Sequence, residues 1–215
     1  YQSKGKGRRG HAWDSPHGSA IYMSILFRPD IRPDRASMLT LVIGLSVAQA
    51  IRSNLGVQAQ IKWPNDIVLN GKKLVGILTE MSAQMNYIEY LVTGIGINAN
   101  LREFPEELAD KATSLQKEIG HKVNRSALIA ECMKKIEENY ETFVKTQDLS
   151  GLMAAYQEVL VNQDQQVRVL EPGHEYTGVA RGINAMGELL VEKEDGTITE
   201  VYAGEVSVRG LYGYV

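Results

Sequence analysis

The chain has 215 residues, 44% hydrophobic and 23% charged, with a formal net charge of −3. That size holds one domain plus a small second one, and the composition is that of a soluble globular protein. The mildly acidic balance argues against a dedicated nucleic-acid binder, while Cys132, the single cysteine, excludes an internal disulfide and points to a cytoplasmic setting.

The first unusual stretch is KGKGRRGHAWDSPHG, residues 4–18, where glycines alternate with Lys4, Lys6, Arg8, Arg9 and His11 ahead of Trp13. Interleaved glycines and cations let a backbone close over an anion. Three readings stand: a phosphate-binding loop, a nucleic-acid contact with Trp13 as a stacking platform, or a solvated mobile terminus. The stretch lacks the Gly-Lys-Ser/Thr ending of a Walker A loop and the strand-to-helix setting of a dinucleotide fold. Because the chain starts at Tyr1 without methionine, further sequence is expected upstream, and no signal peptide is visible.

AIYMSILFRP reads as a strand closed by Pro29. SMLTLVIGLSVAQAIRSNLG reads as a helix stopped by Gly56. Its apolar run over 38–51 is short for a membrane span and carries Thr40, Ser46 and Gln49, so no membrane partner is expected. AQIKWPNDIVLNGKKLVGILTEM predicts a strand, a Pro64 turn, a short strand, an Asn-Gly hairpin and a longer strand. YIEYLVTGIGINAN is another strand with a glycine-rich end, and FPEELADKATSL a loop with a short helix after Pro105. Leu128, Cys132, Ile136, Tyr140 and Phe143 form a helical stripe, which makes Cys132 core filler. A further helix is expected over 149–160. After Asn162 the helical period vanishes, and short strands between Pro-Gly, Asn-Ala-Met-Gly and Asp-Gly turns predict a small antiparallel β barrel. The expected domains are 1–162 and 163–215.

Lys73 enters an apolar strand, where a lysine must snorkel or meet an anion. Lys72 beside it reads as a solvated hairpin residue. Asn65 and Asp66 place polar groups on the turn after Pro64. Gly94 and Gly96 on a strand suggest a bulge, or close approach of a flat ligand or another backbone. His11, His17, His121 and His174 have no metal-ligand spacing, and no G-x-S-x-G nucleophile elbow occurs.

Taken together, GKGRRGHAW, KWPND, GKKLVGILTE, GIGIN and the terminal GEVSVR resemble, in order and along the whole chain, the biotin protein ligase family. The resemblance implies an α/β (α+β) fold: a mixed β-sheet flanked by helices, of the class II aminoacyl-tRNA-synthetase-like type, followed by the small barrel. It implies ATP-dependent activation of biotin to biotinyl-5'-AMP and transfer to a lysine of a biotin carboxyl carrier domain, with Mg2+ accompanying ATP. By the resemblance, Lys73 and Arg8 are catalytic. Gln2, Gly5, Lys6, Arg8, Lys73, Gly94 and Gly96 contact biotin. Arg8, Arg9, His11, Trp13, Asn65, Asn98 and Arg209 contact the nucleotide, and Asp66 faces the metal. Lys6 and His11 stand where the family usually has arginines, giving up a bidentate fork at one and making charge pH-dependent at the other. The family's Ser-Thr-Asn biotin segment, and the winged helix-turn-helix of its repressor members, would lie before Tyr1. The chain itself is then expected to contact no nucleic acid, and to form a homodimer or act alone. The rival readings are a lipoate or octanoyl ligase of the same architecture and a biotin-sensing repressor.

Overall fold

The computed structural model describes residues 1–10, 12–171, 173–203 and 207–210, without the side chains of Arg9 and Ser207. Strands β1 (Ile21–Phe27), β2 (Gln60–Lys62), β3 (Asp66–Leu69), β4 (Lys72–Ala83) and β5 (Ile88–Ile97) form one sheet in the order β1-β5-β4-β3-β2. Every ladder in it is antiparallel. The mixed character expected from the sequence is confined to two isolated parallel bridges, Ile61 to Leu160 and Lys73 to Ala112. Asn70 and Gly71 take positive φ values of 50° and 75°, which lets a two-residue turn join β3 to β4 in the hand of the sheet twist.

Helix α1 (Met38–Leu55) lies between the sheet and α3 (Arg125–Thr146). It is apolar nearly all round because both of its sides are covered. Residues Pro33–Leu55 are long and apolar enough to cross a membrane, yet 72% of that window is buried inside the protein. Between the two helices Asn139 donates to Ser46 Oγ and Gln49 Oε1, both at 2.9 Å, satisfying polar groups that would otherwise be stranded. The expected 149–160 helix shortens to α4 (Met153–Glu158), and α2 (Leu115–Ile119), capped by Ser114, was not foreseen.

Cys132 on α3 is fully buried, and burial pushes its thiol up to about 12. It should therefore resist iodoacetamide in the native protein at pH 8 and react only after denaturation. Rapid native labelling, followed by mass spectrometry, would contradict its place in the core.

The second sheet holds β6 (Gln166–Glu171), β7 (His174–Ile183), β8 (Leu189–Glu192), β9 (Ile198–Val201) and β10 (Ser207–Gly210), in the order β10-β6-β7-β8-β9 and antiparallel throughout. Among the described residues no ladder joins β9 to β10, so the expected barrel is observed as an antiparallel sheet. Its apolar face shares one core with the first sheet and helices. Trp63, 1% exposed, fastens the two: its backbone N–H donates to Asn162 Oδ1 at 2.9 Å and its indole Nε1–H to the Gly187 carbonyl at 3.0 Å.

Candidate active site

The glycine-rich opening is folded. Trp13 N–H donates to the Gly5 carbonyl at 2.9 Å, Lys6 bridges Ala12, and Arg8–Gly10 make a 3-10 turn, so the basic stretch is a short hairpin. Gly5 is needed there because a Cβ would run into the Trp13 carbonyl and Ser15 Oγ. The hairpin reaches the second sheet, where Arg8 Nη2 donates to the Ala203 carbonyl at 2.7 Å.

Behind the hairpin, Trp13 lies on the sheet. Gly76 on β4 and Gly96 on β5 are cross-strand partners, and a Cβ on them would come within 2.5 Å and 2.6 Å of the indole. The flat group for which glycine makes room is thus the protein's own tryptophan at Gly96, whereas a Cβ at Gly94 would meet only the Leu78 carbonyl, at an ordinary 3.7 Å. The Trp13 Nε1–H is buried without a hydrogen-bond partner among the described residues.

Trp13 and the hairpin border a cleft of about 870 Å3. Its floor is Gly94, Gly96, Gly76, Ile77, Leu78 and Val92; its walls carry Gln2, Lys6, Arg8, Asn65, Asp66, Lys73 and Arg209. Ten of the expected site residues therefore meet in one cavity. Asn98 does not line it: it is 7% exposed, and its backbone links Leu74 to Leu115. Gly5 is likewise off the wall, holding the hairpin's shape. His11 and the Arg9 side chain lie outside the described residues.

At the centre, Lys73 Nζ sits 2.7 Å from Asp66 Oδ1 and 5.5 Å from the Trp13 ring centroid. Asn65 stiffens this point, its Nδ2 donating to the Ile77 carbonyl at 3.2 Å and to Asp66 Oδ1 at 3.3 Å. Lys72 turns away, donating to the Ala109 carbonyl at 3.1 Å. Lys6 reaches Glu80 at 3.7 Å, an exposed pair that contributes little to stability. No group of three or more His, Cys, Asp or Glu side chains among the described residues could hold a metal unaided.

Sequence reasoning missed Lys62, Lys111, Glu80 and Asp110, all on the cleft. Lys62 sits in the quoted KWPND stretch, but a lysine ending a strand ordinarily reads as solvated. Here it is 6% exposed. Burial pushes its pKa down from 10.5 to about 8 against the upward pull of Asp66, with Lys73 and Arg209 adding to the depression. The unfolded chain therefore holds this proton to higher pH than the folded one. Between pH 8 and 10.5 the Lys62 contribution to stability rises with pH, and below 8 it is flat. Wild type should gain unfolding free energy relative to Lys62→Met across that window in denaturant titrations; a constant difference would contradict the lowered value.

Cationic side chains outnumber carboxylates around the cleft, Lys4, Lys6, Arg8, Lys62, Lys73, Lys111 and Arg209 against Asp66, Glu80 and Asp110. An apolar floor beside an electropositive wall suits a ligand with an apolar body and an anionic end, together with a phosphate-bearing partner. Fold and site define a cleft for paired anionic ligands, one of them with an apolar body.

The Biotin/lipoate A/B protein ligase family matches residues 1–98, and the Biotin protein ligase C terminal domain matches residues 164–209. The biotin protein ligase from Aquifex aeolicus in complex with biotin and ATP superposes with a TM-score of 0.85 at 33% identity, covering 97% of this chain and 86% of that one. The bifunctional ligase/repressor BirA of Bacillus subtilis is 35% identical over 96% of this chain and 64% of its own length. The biotin–[acetyl-CoA-carboxylase] ligase of Mycobacterium tuberculosis is 28% identical over 96% of this chain and 76% of its own. This chain belongs to the biotin protein ligase family. It spans about two thirds of the length of the BirA relatives it matches, at 64%.

Proposed function

We propose that the protein activates biotin with ATP to give biotinyl-5'-AMP and pyrophosphate, then transfers biotin to a lysine of a carboxyl carrier domain. The observation that carries this is Lys73, placed between an apolar glycine floor and a cationic wall and steadied by Asp66. A biotin carboxylate and an α-phosphate repel each other, and a fixed ammonium between them lowers the barrier as their charge is forced together. Gln2, Lys6 and Arg8 close over the reacting groups from the hairpin, and the exclusion of water protects the mixed anhydride from hydrolysis. Trp13 offers the adenine a face to stack on, and Arg209 brings a cation from the second sheet. Of the resemblance-based contacts, Gly94 serves biotin as floor, Gly96 serves it by seating Trp13 at the edge of that floor, Asn65 serves the nucleotide by holding Asp66, and Asn98 acts from beneath the sheet. Arg9 and His11 keep their assignment to the nucleotide. A magnesium ion accompanying the triphosphate would find Asp66 as its protein carboxylate, draw its other ligands from phosphate and water, and supply charge neutralisation. The catalytic unit would comprise 1–162 and the C-terminal unit 163–215.

The test is ATP–pyrophosphate exchange with and without biotin. Exchange that requires biotin supports the reading; none, or exchange driven by lipoate instead, overturns it. The ligase/repressor names of the Bacillus relatives favour a second reading, in which the adenylate-bound protein also acts as a repressor. Operator binding that responds to biotin and ATP would support it.

A further inference from the structure

Lys62 has no role in the contacts assigned above. We propose that the Lys62 ammonium grips the β- and γ-phosphates of the nucleoside triphosphate and stabilises the departing pyrophosphate, an inference that rests on the ligase reading of the same cleft. Across the sheet the order β5, β4, β3, β2 carries, in turn, the glycine floor, the reacting lysine Lys73, Asp66, and finally Lys62. Lys62 and Asp66 are cross-strand partners, and Asp66 in turn faces Gly76. A ligand whose apolar body lies over β5 and β4, and whose carboxylate reacts at Lys73, leaves the β3–β2 side of the cleft for whatever departs from the α-phosphorus.

That side is built for charge. Lys62 is 6% exposed but lines the cleft, and the charged groups acting on it are Asp66, Lys73 and Arg209. Asp66 across the ladder offsets part of the cost of burying this ammonium beside Lys73 and Arg209, and a polyanion in front of the three cations lowers their mutual repulsion further. Lys73 cannot cover both places, because its Nζ is held 2.7 Å from Asp66 at the reacting centre. In the step itself a carboxylate oxygen forms a bond to the α-phosphorus, and the bond from that phosphorus to the bridging oxygen of the β-phosphate breaks. The electron pair stays on the bridging oxygen, which leaves as pyrophosphate. Negative charge grows where an ammonium with three donors can meet it, and no proton need move.

Pyrophosphate is absent from the adenylate, so the two ligands separate this role from a general one. Single-turnover pyrophosphate release should fall by roughly a hundredfold in Lys62→Met, while synthetic biotinyl-5'-AMP binds within about threefold of wild type, the size of a minor contact. Lys62→Arg should restore most of the rate, since a diphosphate accepts a fork as readily as a point charge. Thermal midpoints report folding, and Lys62→Gln replaces the methionine variant should that one fail to fold. Equal loss of release and adenylate binding, or no loss of either, overturns the assignment. Wild type that releases no pyrophosphate with biotin and ATP sinks the ligase reading, and this inference with it.

Discussion

Lys73→Ala should slow adenylate formation by roughly a hundredfold or more, the scale of losing one preorganised charge from a developing transition state. The structure gives that expectation a control one residue away. Lys72 shares the strand and the charge, but it leaves the cleft and donates to the Ala109 carbonyl. Lys72→Ala removes one charged hydrogen bond, about 1.5–3 kcal/mol of stability at most, and should leave the chemistry intact. Lys73→Arg should rescue poorly, because a planar fork does not fit the point where Asp66 and two anionic ligands converge. Transfer should suffer less than adenylation, since phosphate charge is released in that step too. Single-turnover kinetics of both steps in the three variants is the measurement. A crippled Lys72→Ala beside a normal Lys73→Ala would place the wrong lysine in the site.

The second large effect comes from a single methyl group. Gly96→Ala puts a Cβ 2.6 Å from the Trp13 indole, and Gly76→Ala one at 2.5 Å, on strands that cannot separate without breaking ladder hydrogen bonds. The ring must lift off the sheet. Loss of well-packed contact of this kind destabilises by about 1–3 kcal/mol, and ATP affinity should fall by more than tenfold because the stacking surface moves. Only two tryptophans are present, and Trp63 is buried between the sheets. A red shift in emission can therefore be assigned to Trp13. In a Trp13→Ala background either glycine substitution should be nearly silent, the non-additivity expected of groups in contact. Unshifted emission with full ATP affinity would show that the indole does not depend on the glycine floor.

Much of this was readable in advance, for reasons that differ along the chain. The β3–β4 hairpin follows from Asn70-Gly71, since few other pairs reach two consecutive positive φ values cheaply. Helix α1 follows from an apolar run ended by Gly56 in the left-handed region at φ 68°. The cleft's central residues were legible because KWPND, GKKLVGILTE and GIGIN lie on adjacent strands. What stayed hidden depends on contacts between distant segments. Lys62 turns from a solvated strand end into a buried cation only through tertiary packing, in a field set by Asp66, Lys73 and Arg209 from three other strands. Lys111 reaches the cleft because its loop bridges to Lys73 through Ala112. Nor could local pattern reveal that the basic hairpin is anchored through Arg8 to Ala203, almost two hundred residues away.

The hydrogen bonds of Trp63 reach beyond packing. One residue before it stands Lys62, and three after it Asp66, both on the cleft wall. The stretch that ties the two sheets together is thus the stretch that sets the charge pattern of the site. Such a joint leaves the two sheets little freedom to tilt independently, because Gly187 and Asn162 hold the residue that lies between Lys62 and Asp66. The C-terminal part is then a splint for the catalytic one, and heat should melt both in a single calorimetric transition, not in two separate steps.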